Sequence, residues 1–269
     1  MHQNNSATRH LHQEPLISII ITILNGGETL ERCLLSIQNQ LFADFELIIV
    51  DGGSKDNTLS IVEACYMPNK KLHVVAGAGL YKGLNTGINL SSGKWLYFMG
   101  ADDELHEIYT LHKVAEEIKS IKKGTKVIVG DVNCVKQENI LTPLFGSPYL
   151  MRHQVHHQGM FYKREVFDSL LYDETMRIAS DYKLNLKLAL MGIPHQSMRI
   201  IICNFGGDGI SENQMKRGYK EMQQVHKHLF NVPGRYWVMG YFWFRRGIGA
   251  ILRKYNFPIV RSSFKKIFG

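Results

Sequence analysis

Residues 16–24 read Leu-Ile-Ser-Ile-Ile-Ile-Thr-Ile-Leu, a mainly β-branched apolar run without a charged side chain. Such a run is typical of a strand that is buried on both faces of a sheet. Asn25-Gly26-Gly27 interrupts the run, and residues 28–39 then carry apolar side chains at helical spacing. The ordered part of the chain therefore begins with a strand, a turn and a helix.

The same unit recurs through the first half of the chain. Apolar runs predict four further strands, at residues 45–50, 72–75, 94–99 and 126–129. Helical patterns lie between them, at residues 56–65, 80–90 and 108–121. This alternation predicts an α/β fold whose mostly parallel sheet is covered by helices on both faces. The second half is less regular, with predicted helices at 163–169 and 180–191 and a strand at 200–203.

Polar residues follow several of the predicted strands directly. Asn25, Asp51 and the pair Asp102-Asp103 all stand at strand ends. In open α/β sheets, ligands bind at the carboxyl ends of the strands. Adjacent carboxylates after a buried strand suit Mg²⁺ or Mn²⁺, which bridge diphosphates. A solvated turn that caps the next helix is the alternative interpretation of Asp102-Asp103.

Four segments in succession resemble the family 2 glycosyltransferases, which have the GT-A fold. They are residues 19–25 (IIITILN), 48–58 (IIVDGGSKDNT), 79–88 (GLYKGLNTGI) and 93–103 (GKWLYFMGADD). Their order and spacing match as well, and the resemblance extends over about residues 15–210. It implies an inverting, metal-dependent glycosyltransferase of the kind that builds bacterial polysaccharides such as O-antigens.

The resemblance also implies a nucleotide pocket, formed by Thr22, Asn25, Asp51, Asn85 and Asp102. Thr22 matches the first-strand position that approaches the base, and Asp51 matches the acid that recognises it, usually a uracil. The third segment departs from the family pattern, because Gly77 and Lys82 replace two acids.

Further site residues follow from the resemblance. Asp102 and Asp103 match the metal-binding pair, in which the second acid is the usual ligand of Mn²⁺ or Mg²⁺. Asp181 matches the general base, and its alternative is an acid stabilised by a helix dipole. His157 and Gln158 resemble a segment near the acceptor cleft, although ordinary core histidines are equally compatible with this sequence.

The C-terminal part of the chain is strongly basic. The whole chain carries +8, but residues 216–269 carry twelve Lys/Arg and one acid, which gives +11 there and −3 for the remainder. An aromatic run at 236–244 precedes Arg245-Arg246 and is too short to span a bilayer. These features predict an interfacial helix on an anionic membrane surface, with packing on the catalytic domain as the alternative.

The sequence thus predicts three regions and one activity. Residues 1–14 are expected to form a disordered tail, 15–212 a GT-A catalytic domain and 213–269 a basic amphipathic helical region. Within the domain, residues 15–105 would bind the nucleotide and 106–212 the acceptor. We expect transfer from a UDP-sugar to a lipid-diphosphate-linked or saccharide acceptor during surface polysaccharide synthesis. The four scattered cysteines favour the reducing cytoplasm. The predicted interfacial helix would then place the protein at the inner face of the plasma membrane.

Two other classes of protein fit less well. A sugar-nucleotidyltransferase would need a glycine-rich loop with basic residues after the first strand, and residues 25–28 contain no basic side chain. A nucleic-acid-binding protein would explain the basic tail, but the sequence contains no recognised nucleic-acid motif, so no nucleic acid is expected as a partner.

Overall fold

The structure is a computed structural model that describes residues 14–146, 156–207 and 214–230. Its first half alternates strands and helices as predicted, with a two-residue strand, β5, in addition. The elements are β1 (Ile17–Ile23), α1 (Leu30–Gln38), β2 (Phe45–Asp51), α2 (Thr58–Ala64), β3 (Lys70–Val74), α3 (Leu80–Leu90), β4 (Trp95–Met99), β5 (Glu104–Leu105) and α4 (Thr110–Ser120).

The second half contains more strand than the sequence pattern indicates. Its elements are β6 (Val127–Cys134), β7 (Asn139–Leu141), β8 (Met160–Lys163), α5 (Ser180–Leu190), β9 (His195–Phe205) and α6 (Met215–Leu229), with 3₁₀ turns at Val135–Gln137, His157–Gly159 and Arg164–Asp168. The helix predicted at 163–169 is the last of these 3₁₀ turns, at Arg164–Asp168. Strand β6 continues past Gly130, where its pairing with β9 is irregular.

The strands form one sheet in the order β3-β2-β1-β4-β8-β6-β9-β5, with β7 paired to β6. The first four strands are parallel, and so are β6 and β9. Strand β8 runs antiparallel to both β4 and β6, and β5 runs antiparallel to β9. The predicted mostly parallel sheet is therefore confirmed, with antiparallel pairs confined to the half after β4.

Helices cover both faces of this sheet. Alternate side chains of β1 enter different cores, as the period of a strand requires. Ile20 packs with α3 and α5, whereas Ile19 packs with α1 and α4. Helix α3 lies very close to β1, since a Cβ on Gly87 would be 2.4 Å from Ile20 Cγ2. This approach places the N-terminal end of α3 beside the carboxyl ends of the central strands.

Two of the predicted regions are only partly described. The predicted tail at 1–14 lies outside the described residues except for its last residue, and so does the aromatic and basic segment beyond residue 230. The predicted basic helix is present as α6, which packs on α5. Within the described ranges, no helix has the length and hydropathy needed to cross a membrane.

Candidate active site

The turn after β4, residues 100–103, holds a buried carboxylate at the edge of the sheet. Asp103 is fully buried and accepts hydrogen bonds from the Gly100 N–H to Oδ2 and the Gly206 N–H to Oδ1, both at 3.0 Å. Gly206 follows β9, and a Cβ there would lie only 2.2 Å from the Asp102 carbonyl oxygen. The exit of β9 is therefore fixed against the 100–103 turn.

Asp102 and Asp103 fit a divalent cation that is shared with a substrate. Burial, and then the neighbouring Asp102 charge, raises the pKa of Asp103 to about 6. A cation would compensate this buried negative charge, and an ionised carboxylate that accepts two hydrogen bonds still has lone pairs for a metal. Among the described residues, no three His, Cys, Asp or Glu side chains cluster as a metal site. The pair therefore suits Mg²⁺ or Mn²⁺, which bind through one or two carboxylates plus substrate phosphates.

Asp51 and Asn25 build the neighbouring turn. Asp51 is fully buried, and its Oδ1 accepts the N–H groups of Gly53 and Ser54, each at 2.8 Å. The Ser54 hydroxyl donates to Asp51 Oδ2 at 2.5 Å and accepts the Asn25 N–H at 2.8 Å. Asn25 Oδ1 in turn accepts the Lys55 N–H. Both predicted nucleotide-binding residues thus shape this loop, and their contact with a base stays a prediction.

Thr22 lies on β1 next to helix α3, and Asn85 lies on α3 itself. Thr22 is half-buried, and a Cβ on Gly83 would lie 2.8 Å from its Cγ2. The Asn85 amide nitrogen donates to the Tyr172 carbonyl at 3.0 Å and to Glu174 Oε1 at 2.9 Å, while its oxygen accepts the Tyr172 N–H. Both N–H donors of the Asn85 amide are used, so in this structure Asn85 holds the segment of residues 172–174 against α3. Its direct contact with a nucleotide stays a prediction.

Asp181 lies in the first turn of α5 and is 6% exposed. The Tyr81 hydroxyl donates to its Oδ1 at 3.0 Å, and His157 Nδ1 lies 3.4 Å from its Oδ2. Burial raises the pKa of Asp181, but His157, the Tyr182 N–H and the Tyr81 hydroxyl together outweigh burial and lower it. Asp181 is therefore ionised at neutral pH and able to accept a proton.

The segment around His157 links this carboxylate to the 100–103 turn. His157 is close enough to Asp103 to lower the pKa of that carboxyl. The Gln158 carbonyl accepts the Tyr97 hydroxyl at 3.0 Å, which ties the segment to β4. The structure thus brings together Asp103, His157 and Asp181, three residues that the sequence separates by 78 positions. Acceptor contact by His157 and Gln158 stays a prediction.

Two residues of this site were not found by sequence reasoning. Tyr81 resembles an ordinary core aromatic, and the only indication of its role is that a buried tyrosine hydroxyl needs a partner. Glu221 on α6 accepts hydrogen bonds from the backbone of residues 177–179, directly before α5. Its only signal in the sequence is that it is the single acid among residues 216–269.

An α/β fold with a mixed sheet, paired carboxylates after one central strand and a second buried carboxylate at Asp181 is the arrangement expected of a GT-A glycosyltransferase. The family comparison is direct: residues 18–180 match the sequence model of Glycosyl transferase family 2, and the chain belongs to this family. A "PGL/p-HBAD biosynthesis glycosyltransferase" of Mycobacterium bovis (strain BCG / Pasteur 1173P2) is 36% identical over 183 residues, which cover 64% of this chain and 69% of that protein.

Two solved structures are similar in fold. The S. aureus TarS 1-349 complex with UDP-GlcNAc has a TM-score of 0.67 at 18% identity, over 84% of this chain and 71% of that one. The mannosyltransferase PcManGT from Pyrobaculum calidifontis, in complex with GDP-Man and Mn²⁺, has a TM-score of 0.64 at 17% identity, over 89% and 76% of the two chains. The predicted GT-A fold and glycosyltransferase class are confirmed.

Proposed function

We propose that this glycosyltransferase inverts the anomeric centre of a UDP-sugar and transfers the sugar to a hydroxyl group of a lipid-diphosphate-linked or saccharide acceptor. The observation that carries the proposal is Asp181, a buried carboxylate that stays ionised close to the 100–103 turn. A carboxylate that is ionised at neutral pH and held in one orientation can accept a proton from a positioned hydroxyl group.

The reaction assigned to this arrangement is a single displacement. Asp181 takes the proton of the acceptor hydroxyl while that oxygen attacks the anomeric carbon. The bond from the anomeric carbon to the diphosphate oxygen breaks, and the nucleoside diphosphate leaves with the electron pair on the opposite face. The Tyr81 hydroxyl and His157 hold the two carboxylate oxygens and so orient the base during the transfer.

Asp102 and Asp103 are the residues that would hold Mn²⁺ or Mg²⁺, and such an ion would neutralise the charge of the leaving diphosphate. The choice of UDP rests on the family match of Asp51. Neighbours of this fold differ in their nucleotide, since the TarS complex contains UDP-GlcNAc and the PcManGT complex contains GDP-Man. A donor panel must therefore contain both uridine and guanosine diphosphate sugars.

A lipid-linked acceptor is supported by the outer surface of α6. Gly218, Glu221 and Val225 face inward, whereas lysines lie on the exposed side, at Lys216, Lys220 and Lys227. We propose that this side and the basic residues beyond it attach the enzyme to anionic lipid at the cytoplasmic face of the plasma membrane.

Vesicle flotation with the full chain tests this membrane attachment. Binding should need anionic lipid, fall with salt and weaken in the Lys216→Gln/Lys220→Gln variant. Equal flotation on neutral vesicles would contradict it.

The donor proposal is tested by calorimetry with UDP- and GDP-sugars, with and without Mn²⁺, followed by transfer to lipid-diphosphate acceptors. We expect binding of a UDP-sugar that depends on Mn²⁺, and Asp103→Ala should abolish both this binding and transfer. The neighbouring Glu104→Gln variant is the matched control, because Glu104 is partly exposed and lies on β5 just after the turn. Full activity of Asp103→Ala, with no effect of EDTA, would overturn the metal assignment.

A further inference from the structure

Helix α6 anchors the segment that leads into the helix carrying the proposed base. The Glu221 carboxylate is 7% exposed, and its Oε2 accepts the N–H groups of Ile178 at 2.8 Å and Ala179 at 3.0 Å. Both oxygens lie 3.1 Å from the Arg177 nitrogen. Helix α5 receives no hydrogen bond from the side chain of Ala179, its own N-cap residue. The backbone directly before α5 is therefore held by a residue more than 40 positions away in the sequence.

A second polar contact fixes the same helix next to the base. His226 Nε2 lies 2.6 Å from the hydroxyl of Tyr182, the residue after Asp181. Burial lowers the pKa of His226 to about 4, so that its ring is neutral and accepts the hydroxyl proton. Helix α6 approaches closely at Gly218, where a Cβ would be 3.1 Å from Ile178 Cγ2. The first turn of α5 is thus held on both sides of the proposed base.

We propose that Glu221 is a positioning residue for glycosyl transfer, which makes the basic helix α6 part of the catalytic machinery. The inference rests on the proposed role of Asp181 as general base. A carboxylate that accepts successive backbone N–H groups forms strong, charge-assisted bonds. Those bonds fix the backbone two residues before Asp181, and a base displaced by about 1 Å loses on the order of a hundredfold in rate.

The position of Glu221 separates its effect from donor binding. The proposed donor site lies on the ends of β1, β2 and β4 and at Asn85 of α3, and Glu221 contacts none of these through a described hydrogen bond. Glu221 instead contacts residues 177–179 and Arg217, whose side chain is 51% exposed. Loss of the Glu221 contacts should therefore lower kcat and leave the donor KM unchanged.

The test measures kcat and donor KM for the full-length Glu221→Gln and Glu221→Ala variants, well below their thermal midpoints. We expect kcat to fall by about tenfold for the Gln variant, which keeps one acceptor oxygen, and by about a hundredfold for the Ala variant, with donor KM within about twofold of wild type. Arg217→Gln is the matched control and should keep the wild-type kcat, because the bonds from Glu221 to residues 177–179 remain. If Glu221→Ala does not fold, the milder Gln variant decides.

The results separate this inference from the proposed function. A wild-type kcat in folded Glu221→Gln and Glu221→Ala would overturn the inference, and so would an equal change in kcat and donor KM. Asp181→Asn is measured in parallel. If Asp181→Asn is inactive while the Glu221 variants keep full kcat, only the positioning role fails. If Asp181→Asn is fully active, the general-base assignment itself fails.

Discussion

Replacing Tyr81 by Phe removes one hydroxyl from the candidate active site and changes little else. This hydroxyl donates to Asp181 Oδ1 at 3.0 Å, and the two side chains are 2% and 6% exposed. The Tyr81 ring stacks on Tyr172 at a centroid distance of 5.6 Å, a contact that Phe keeps. The substitution therefore isolates the hydrogen bond to the proposed base.

The stability that Tyr81→Phe loses depends on the charge of Asp181, the acceptor of this hydrogen bond. A hydrogen bond to a charged group contributes about 1.5–3 kcal/mol to stability. For a chain of this size, about 2 kcal/mol corresponds to a thermal midpoint lower by roughly 4–8 °C. The bond favours the ionised carboxylate, so its loss raises the pKa of Asp181. Because the folded-state pKa of Asp181 lies below its ordinary 3.8, the stability difference should be complete above about pH 4 and shrink as the pH falls further.

Two measurements check the prediction. Urea denaturation between pH 3.5 and pH 7.5 should give the free-energy difference between wild type and Tyr81→Phe, and the pH profile of kcat/KM should show its acidic limb at higher pH in the variant. Tyr172→Phe is the matched control. Within the described part of the chain, the Tyr172 hydroxyl is buried without a hydrogen-bond partner, so its removal should not destabilise the protein.

Equal loss of stability in Tyr81→Phe and Tyr172→Phe would refute this reasoning, because the effect would then come from aromatic packing. An unchanged acidic limb in Tyr81→Phe would also refute it, since the hydroxyl would not be acting on the group whose ionisation controls the rate.

Three further predictions concern other parts of the structure. Gly206→Ala places a Cβ 2.2 Å from the Asp102 carbonyl oxygen and should break the hydrogen bond from the Gly206 N–H to Asp103. We expect the Mn²⁺-dependent affinity for the donor to fall about tenfold in calorimetry. An unchanged affinity would contradict this. Because burial lowers the pKa of His226 to about 4, the unfolded chain binds more protons than the folded one between about pH 6.5 and pH 4. The free energy of unfolding should therefore decrease as the pH is lowered from about 6.5 to about 4, by at most about 3 kcal/mol. In urea titrations, His226→Gln should reduce this dependence of stability on pH. Gly87→Ala should destabilise by about 1–3 kcal/mol despite the better helix propensity of Ala, because its Cβ would clash with Ile20 in the core; a higher thermal midpoint would contradict that.

The central strands could be predicted from sequence because their side chains are apolar on both faces. The predicted ranges 16–24, 45–50 and 94–99 differ from β1, β2 and β4 by at most one residue at each end. The edge strand β3 was predicted at 72–75 but spans Lys70–Val74. Its Lys70, Lys71 and His73 interrupt the apolar pattern, because only one neighbouring strand covers an edge strand.

The second half of the sheet depends on pairings between distant segments. Of strand β9, only residues 200–203 were predicted from the sequence, whereas the strand begins at His195. Residues 195–199 are polar except for Met198 and carry no strand signal of their own. Residues 195–197 are strand because they pair with Val127–Val129 of β6. Likewise, β5 has two residues, too few for any periodicity to appear.

In the candidate site, too, some residues could be predicted from the local sequence and others depend on contacts between distant segments. Asp102 and Asp103 could be predicted locally, because they directly follow an apolar strand. The contact from Tyr81 to Asp181 spans 100 positions, and the bonds from Glu221 to the start of α5 span 42–44. Asn85 matched the family pattern, but its amide bonds to residues 172–174 only appear once the chain is folded. Contacts of this kind are tertiary, and no local pattern predicts them.

The most direct test of the proposed mechanism is the rate of sugar transfer by Asp181→Asn, measured beside calorimetric binding of the donor. Asn has nearly the same shape as Asp but accepts no proton at neutral pH. We predict that donor binding is unchanged while transfer falls by about 10²–10⁴, the usual contribution of a general base. Transfer within a few-fold of wild type, with donor binding intact, would contradict the assignment of Asp181 as the base.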